Sequence, residues 1–197
     1  PEAAVALYSL GSAATLARAT AEIVEHLDEW GLLGGDRRVL DIGCGIGRME
    51  RALASQVAAI IGIDLSPGMI AEARRRCSGL ANVAFLLGDG LGLGPFPDRA
   101  FDLVLAVDSF PYLVAAGPAI AARHVADAAR LLPPAGALLI LNFSYDGDPA
   151  RDRAAIGDLA ACHGFTVERD GTRDLALWDA ASFLLRREPA FSARRRR

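Results

Sequence analysis

The segment Val39-Leu40-Asp41-Ile42-Gly43-Cys44-Gly45-Ile46-Gly47-Arg48 constrains the fold of this chain more than any other. An apolar run ends at Asp41-Ile42, three glycines follow at alternate positions, and helical spacing then begins. Glycines in that place let the backbone turn sharply and approach a ligand closely, with helix N-terminal amides facing it. A strand that feeds such a turn and then a helix opens a βαβ unit, which commits the chain to a parallel sheet.

The rest of the chain keeps that rhythm. Runs rich in β-branched residues and leucine, expected as buried parallel strands, are Arg38 to Ile42, Ala59 to Ile63, Val83 to Leu86, Phe101 to Val107 and Ala137 to Leu141. Between them the apolar spacing is helical. Leu16, Ile23, Leu27 and Trp30 share one side of a first helix, and Met49, Leu53 and Val57 one side of a second. Met69, Ile70 and Ala73 belong to a third, opened by Ser66-Pro67. Ile120, Val125, Ala128, Leu131 and Leu132 mark a fourth, stopped by Pro133-Pro134. Arg151 to Cys162 is a fifth, closed by Gly164. Phe165 to Arg169 and Ser182 to Arg187 then read as two strands with no helix between them. The Asp170-Gly171 turn signal nearby predicts an antiparallel pair at one sheet edge. The expected fold class is α/β, a doubly wound, mostly parallel sheet with helices on both faces.

A length of 197 residues suits one domain, expected as an N-terminal lid and helix (1–35), a core (36–190) and an arginine-rich tail (191–197). The chain is 52% hydrophobic, too apolar for disorder, and its uncharged stretches fall short of the ~18 residues a spanning helix needs. All 21 basic residues are arginine, and removing Arg194 to Arg197 from the net charge of -3 leaves -7. An acidic body argues against nucleic acid as a partner, and the tail reads as a solvated end. Cys44, Cys77 and Cys162 form neither a C-x-x-C pair nor a zinc spacing, so no metal site is expected. With no secretory leader evident at the start, the expected location is the cytoplasm.

The loop also selects its ligand by charge. The dinucleotide fingerprint is G-x-G-x-x-G, whereas here Gly47 comes one residue early and Arg48 takes the last glycine's place. Asp41, two residues before Gly43, is awkward beside a pyrophosphate and suits a ligand carrying an ammonium and a sulfonium. Asp64 ends the second strand, where a carboxylate can accept ribose hydroxyls. Asp89, in Gly88-Asp89-Gly90, and Asp108 follow the next two. A single strand-end aspartate usually caps a helix. Four in succession beside three glycines point to a ligand.

These residues resemble the class I S-adenosylmethionine-dependent methyltransferases of the small-molecule type. The resemblance rests on Asp41 to Gly47, Gly62-Ile63-Asp64-Leu65-Ser66-Pro67-Gly68-Met69, Gly88-Asp89-Gly90, Phe101-Asp102-Leu103-Val104 and Leu131-Leu132-Pro133-Pro134-Ala135-Gly136, in that order. One departure is Pro134-Ala135-Gly136, where the family has Pro-Gly-Gly. The resemblance implies a Rossmann-like, seven-stranded sheet whose last strand is antiparallel, with S-adenosylmethionine as cofactor and S-adenosylhomocysteine as product. By position it implies that Gly43, Cys44, Gly45, Gly47 and the Asp41 region hold the methionine moiety. Asp64 would take the ribose, Leu65 and Met69 would pack on the adenine, and Asp89 with Gly90 would meet its edge. Val107 and Asp108 would line the wall beside the sulfonium.

Methyl transfer needs orientation and, for a hydroxyl acceptor, a base. The candidates are Asp108 and Tyr112 after the fourth strand and, more weakly, His124 on the following helix, which borders the packed face. Tyr8, Asp108, Tyr112 and Tyr145 are the expected substrate contacts. The expected partner is a small-molecule substrate, with no nucleic acid and no membrane, and the oligomeric state is open. Two rival functions are a non-catalytic S-adenosylmethionine-binding module and an NAD(P)-dependent oxidoreductase.

Overall fold

Apolar runs become central strands where both their faces can be covered. The computed structural model describes residues 12–189. In chain order these form α1 (Ala13–Glu29), β1 (Gly34–Ile42), α2 (Arg48–Leu53), β2 (Val57–Asp64), α3 (Pro67–Arg76), β3 (Val83–Leu87), β4 (Leu103–Val107), α4 (Phe110–Ala116), α5 (Pro118–Leu131), β5 (Ala137–Leu141), α6 (Pro149–His163), β6 (Phe165–Thr172) and β7 (Ser182–Arg187). The strands make one seven-stranded sheet in the order β3-β2-β1-β4-β5-β7-β6. All neighbours from β3 to β5 are parallel, and β7 runs antiparallel to both β5 and β6. The implied seven strands and antiparallel last strand are therefore present.

Successive residues of the central strands point to opposite faces and build two cores. Leu40, Val104, Ala106, Leu138 and Ile140 pack with Val125, Ala128 and Leu131 of α5 and Ile156 of α6. Val39, Leu103, Leu105, Leu139 and Leu141 pack with Ile23 and Leu27 of α1 and Met49 and Leu53 of α2. A smaller cluster of Cys44, Ile70, Ala73, Cys77 and Phe85 seats α3. Outside the cores, Asp102 fixes β1 beside β4 by accepting from the Arg38 amide (2.9 Å) and from its guanidinium Nε (3.1 Å).

Helix boundaries follow their local chemistry. Ser66 caps α3 by accepting from the Met69 amide, and Gly164 ends α6 in the left-handed region at φ 72°. Three expectations are corrected. Val57 begins β2 rather than extending α2, because the chain leaves the helix at Ala54 and Gly34 pairs with Val57 in the sheet. Residues 101 and 102 precede β4, which starts at Leu103. Asp170-Gly171 does not turn the chain. It forms an irregularity inside β6, with Gly171 at φ 69°, and the connection to β7 comes later.

No helix among the described residues is long and apolar enough to cross a membrane. The expected lid at residues 1–11 and the arginine tail lie outside the described residues.

Candidate functional site

The sheet order reverses between β1 and β4, since the chain leaves β1 toward β2 on one side and β4 toward β5 on the other. A crevice opens there at the carboxyl ends of the strands, the usual ligand position in open α/β sheets. The loop at residues 43–47 occupies it. The amides of Gly43 and Cys44 both donate to the Ile63 carbonyl, at 2.8 and 3.0 Å, which folds the loop back onto β2. Gly43 has φ 71°, and a Cβ there would run into Ser109. Ser109 in turn donates its hydroxyl to the Ile42 carbonyl at 2.5 Å. The loop after β4 is thus pressed against the loop after β1.

Asp64, at the end of β2, closes the cradle. One carboxylate oxygen accepts from the Gly45 amide at 2.9 Å, and the other accepts from the Ser66 amide at 2.8 Å. Each oxygen keeps a lone pair for a ligand hydroxyl. Beyond it Leu65 is 65% exposed beside Gly90, and Met69 is half-buried at the start of α3. Asp89 accepts from the Leu91 amide at 2.8 Å, which fixes the turn after β3. Leu65, Met69, Asp89 and Gly90 therefore follow β2 and β3 on the carboxyl side of the sheet.

Beneath the loop lies a group of buried charges. Asp41 is 2% exposed and Glu50, on α2, is fully buried. Among the described residues, Asp41 Oδ1 and both oxygens of Glu50 have no hydrogen-bond partner from any other group. Burial raises both carboxyls, Asp41 to about 7 and Glu50 well above its usual range; the Asp41 charge raises Glu50 further, while a hydrogen bond from Glu50 favours the Asp41 carboxylate. Arg48 is the guanidinium that faces them, and it donates to Thr20 Oγ1 of α1 at 2.8 Å. Burial pushes the Cys44 thiol up as well, so it packs as a small apolar residue.

The second half of the site follows β4 and β5. Asp108 takes φ 58° and Asn142 φ 66°, conformations that cost non-glycine residues energy and that recur at functional sites. Asp108 Oδ1 accepts from Tyr145 Oη at 2.7 Å and from Asn142 Nδ2 at 2.9 Å. Asn142 is itself locked, because its side-chain oxygen accepts from the Ala181 amide at 3.1 Å. Partial desolvation of its hydroxyl end and the adjacent Asp108 carboxylate push the Tyr145 phenol above its ordinary range, so it is held as a donor. The rings of Tyr112 and Tyr145 meet edge to face, 6.0 Å apart, and both are largely exposed.

The expected residues fall into two adjoining groups, one around the glycine loop and one around Asp108. Val107 is buried at the end of β4 next to the second. His124 is the exception. It is 3% exposed on the inner face of α5, and its Nδ1 pairs with the Ile120 carbonyl at 2.8 Å, so it is a structural residue of that helix. Ser109, not Asp108, is the N-cap residue of α4. Tyr8 lies outside the described residues. Glu50, Ser109 and Asn142 were not singled out from the sequence. A polar residue in the first turn of a helix or just after a strand carries no special signal until its neighbours are known.

The residues fit S-adenosylmethionine. A Cβ-free approach at Gly43, an Asp64 carboxylate with open lone pairs and orphaned buried carboxylate oxygens under the loop together suit a positively charged nucleoside. Comparison with known proteins agrees. Residues 39–136 match the family model described as "Methyltransferase domain". The chain is similar to demethylmenaquinone methyltransferase of Tropheryma whipplei (strain Twist), 38% identical over 115 residues, or 58% of this chain and 45% of that protein. It is also similar to aklanonic acid methyltransferase of Streptomyces sp. (strain C5), 43% identical over 89 residues, 43% of this chain and 40% of that one. The chain thus spans less than half the length of these relatives. Among solved structures it resembles magnesium protoporphyrin IX methyltransferase from Synechocystis PCC 6803, with a TM-score of 0.64 and 24% identity over 89% of this chain and 81% of that one. That last likeness shows the fold alone. Motif order, sheet topology and the match over residues 39–136 together establish that the chain carries a class I S-adenosylmethionine-dependent methyltransferase domain.

Proposed function

We propose that this chain is an enzyme that transfers a methyl group from S-adenosylmethionine to a small or medium-sized organic molecule. The observation that carries the reading is the contact of Gly43 with Ser109, which brings the cofactor cradle and the Asp108 corner together. When bound, S-adenosylmethionine supplies the electrophilic methyl on a sulfonium. The chain's own residues supply position and a proton acceptor. The loop at 43–47 takes the methionine end, with the Asp41 region beneath it. Asp64 takes the ribose hydroxyls, Leu65 and Met69 cover the adenine, and Asp89 with Gly90 meets its edge. Val107 lines the wall between cofactor and substrate.

Asp108 accepts a hydrogen bond, and then the proton, from the hydroxyl or amine that receives the methyl group. Tyr145 and Asn142 both donate to Oδ1 and so aim the carboxylate, leaving Oδ2 for the acceptor. Tyr112 and Tyr145 offer two perpendicular aromatic faces for the body of the substrate. The relatives' names specify demethylmenaquinone and aklanonic acid for those proteins, and with two aromatic rings at the site, quinone-like aromatic acceptors are the first class to try here. We place the reaction in the cytoplasm, in a single domain, with no nucleic-acid acceptor.

The test is transfer of labelled methyl from S-adenosylmethionine to a panel of hydroquinones, phenols and aromatic acids, beside calorimetric titration with S-adenosylhomocysteine. Micromolar binding and a labelled product are expected. Binding of NADH without binding of S-adenosylhomocysteine would replace the reading with an oxidoreductase. Tight cofactor binding with no product from any acceptor class would favour a non-catalytic module.

A further inference from the structure

The Asp41 and Glu50 carboxyls are costly groups to hold inside the fold. Both are buried, and among the described residues three of their four oxygens have no partner outside the pair. Two carboxylates cannot both stay ionised side by side in such a place, and a proton shared between them satisfies oxygens that no other described residue reaches. The pair lies directly under the ligand loop. A Cβ on Gly62 of β2 would collide with both Glu50 Oε1 and the Cys44 side chain, so only the width of a glycine separates α2, β2 and the loop there.

We infer that the Asp41–Glu50 pair is a proton-exchanging charge selector under the cofactor loop, which gives up its shared proton when a cationic cofactor binds and regains it when the cofactor loses its sulfonium charge. Glu50 acts here as a specificity-determining positioning residue. The inference rests on the proposed binding of S-adenosylmethionine.

The groups that face the pair leave this role to it. Arg48 of α2 offsets one negative charge and is anchored to Thr20 of α1. Asp64 of β2 adds to the negative field, as does Asp108 after β4, which acts on Arg48. Cys44 in the loop and Cys77 at the end of α3 face Glu50 as neutral thiols, because burial and that carboxylate raise them both. With one shared proton the pair and Arg48 sum to zero charge. With the proton gone they sum to -1, the state that a ligand cation favours. Burial pushes the Asp41 carboxyl up to about 7, which puts proton exchange by the pair within the physiological range. Ligand binding then releases a proton below that point, and affinity for S-adenosylmethionine rises with pH until it is reached. S-adenosylhomocysteine keeps the ammonium but lacks the sulfonium, and it draws off less of the proton. The product is released more readily as a result.

The experiment is isothermal titration of the full chain with each ligand from pH 6 to 8, in phosphate and in imidazole buffers of different ionisation enthalpy. For the wild-type protein with S-adenosylmethionine near pH 6.5, the heat should differ between buffers by a released fraction of a proton. Affinity should rise about fivefold to tenfold from pH 6 to 7. S-adenosylhomocysteine should show a smaller release and a flatter profile. Glu50→Gln should abolish the release and flatten both profiles, while the ligand's own ammonium titrates identically with either protein. Tight wild-type binding with the same heat in both buffers would overturn the inference without touching the methyltransferase reading, and so would Glu50→Gln releasing as many protons as wild type. Absence of binding by both ligands would overturn the reading itself and the inference with it.

Discussion

The Asp64 carboxylate accepts a hydrogen bond from the amide of Gly45, nineteen residues earlier in the chain, at 2.9 Å. The same side chain accepts from Ser66 at 2.8 Å, so one aspartate shapes both the glycine loop and the entry to α3 before any ligand arrives. Asp64→Ala therefore removes two charge-assisted bonds as well as the proposed ribose contact. Such bonds are worth roughly 1.5–3 kcal/mol each to stability. The variant should unfold at lower urea concentration and bind S-adenosylhomocysteine more than tenfold weaker by calorimetry. Asp64→Asn keeps an acceptor for one of the two amides and should fall between the two. Equal affinity in all three proteins would remove Asp64 from the site.

Gly43→Ala tests the junction of the two loops. The new methyl group meets the Ser109 side chain and sits on a backbone at φ 71°, where a left-handed residue with a Cβ costs about 1–2 kcal/mol before any clash. Destabilisation well beyond that figure is expected from urea denaturation. Gly43→Ala with Ser109→Gly relieves the collision but not the backbone strain, and it also gives up the Ser109 bond to Ile42. A double-mutant cycle should therefore show a favourable coupling on the order of 1 kcal/mol between the two changes. Simple additivity would mean that the loops do not press on each other.

Much of this architecture was legible in the residues because buried parallel strands leave a strong trace. The run Ala137–Leu141 has no polar residue and coincides with β5 at both ends, and Ser182–Arg187 likewise coincides with β7. Polar strand ends leave no such trace. Gly34 to Arg37 extend β1 because Gly34 pairs with Val57 across an irregular register, a fact of the neighbouring strand. Val57 misled for a related reason, since its four-residue spacing from Leu53 suits a helix and only the sheet decides otherwise.

The site divided in the same way. Glycines and strand-end carboxylates announced the cofactor loop because few other roles demand that pattern. Glu50 announced nothing, since an acidic residue in the first turn of a helix is ordinary, and its burial is created by Gly62 from β2. Asn142 became visible only through its bonds to Asp108 and Ala181.

Tyr145→Phe and Asp108→Asn separate aiming from proton acceptance. The phenylalanine keeps the ring against Tyr112 but frees one side of Asp108, so the loss is in orientation. A fall in kcat of roughly tenfold with little change in cofactor affinity is expected. Asp108→Asn removes the proton acceptor, and the loss should reach about 10²- to 10⁴-fold in kcat/KM for a hydroxyl acceptor. The asparagine variant should recover activity as pH is raised toward the acceptor's own pKa, whereas the phenylalanine variant should keep the wild-type profile. An unchanged rate in Asp108→Asn would assign transfer to orientation alone.

The buried carboxyl pair also predicts how stability varies with pH. Burial raises Asp41 from its ordinary range to about 7 and Glu50 well above its own, so the folded protein holds more protons than the unfolded chain between pH ~4 and 7. A carboxyl raised in this way contributes stability that is complete below its unfolded pKa and is lost as pH rises through the folded one. Exposed pairs such as Glu72 with Arg75 and Arg76, which is held near 2, act in the opposite direction only in strong acid. The informative quantity is therefore the difference between Glu50→Gln and wild type. The glutamine amide donates to Asp41 and stabilises its charged form, which removes the penalty of ionising the pair. At pH 5 the two proteins should unfold at similar urea concentrations. By pH 8 the variant should be the more stable by roughly 1–3 kcal/mol, the usual cost of a buried unsatisfied polar group. A difference that stays constant from pH 5 to 8 would mean that the pair does not titrate in that interval.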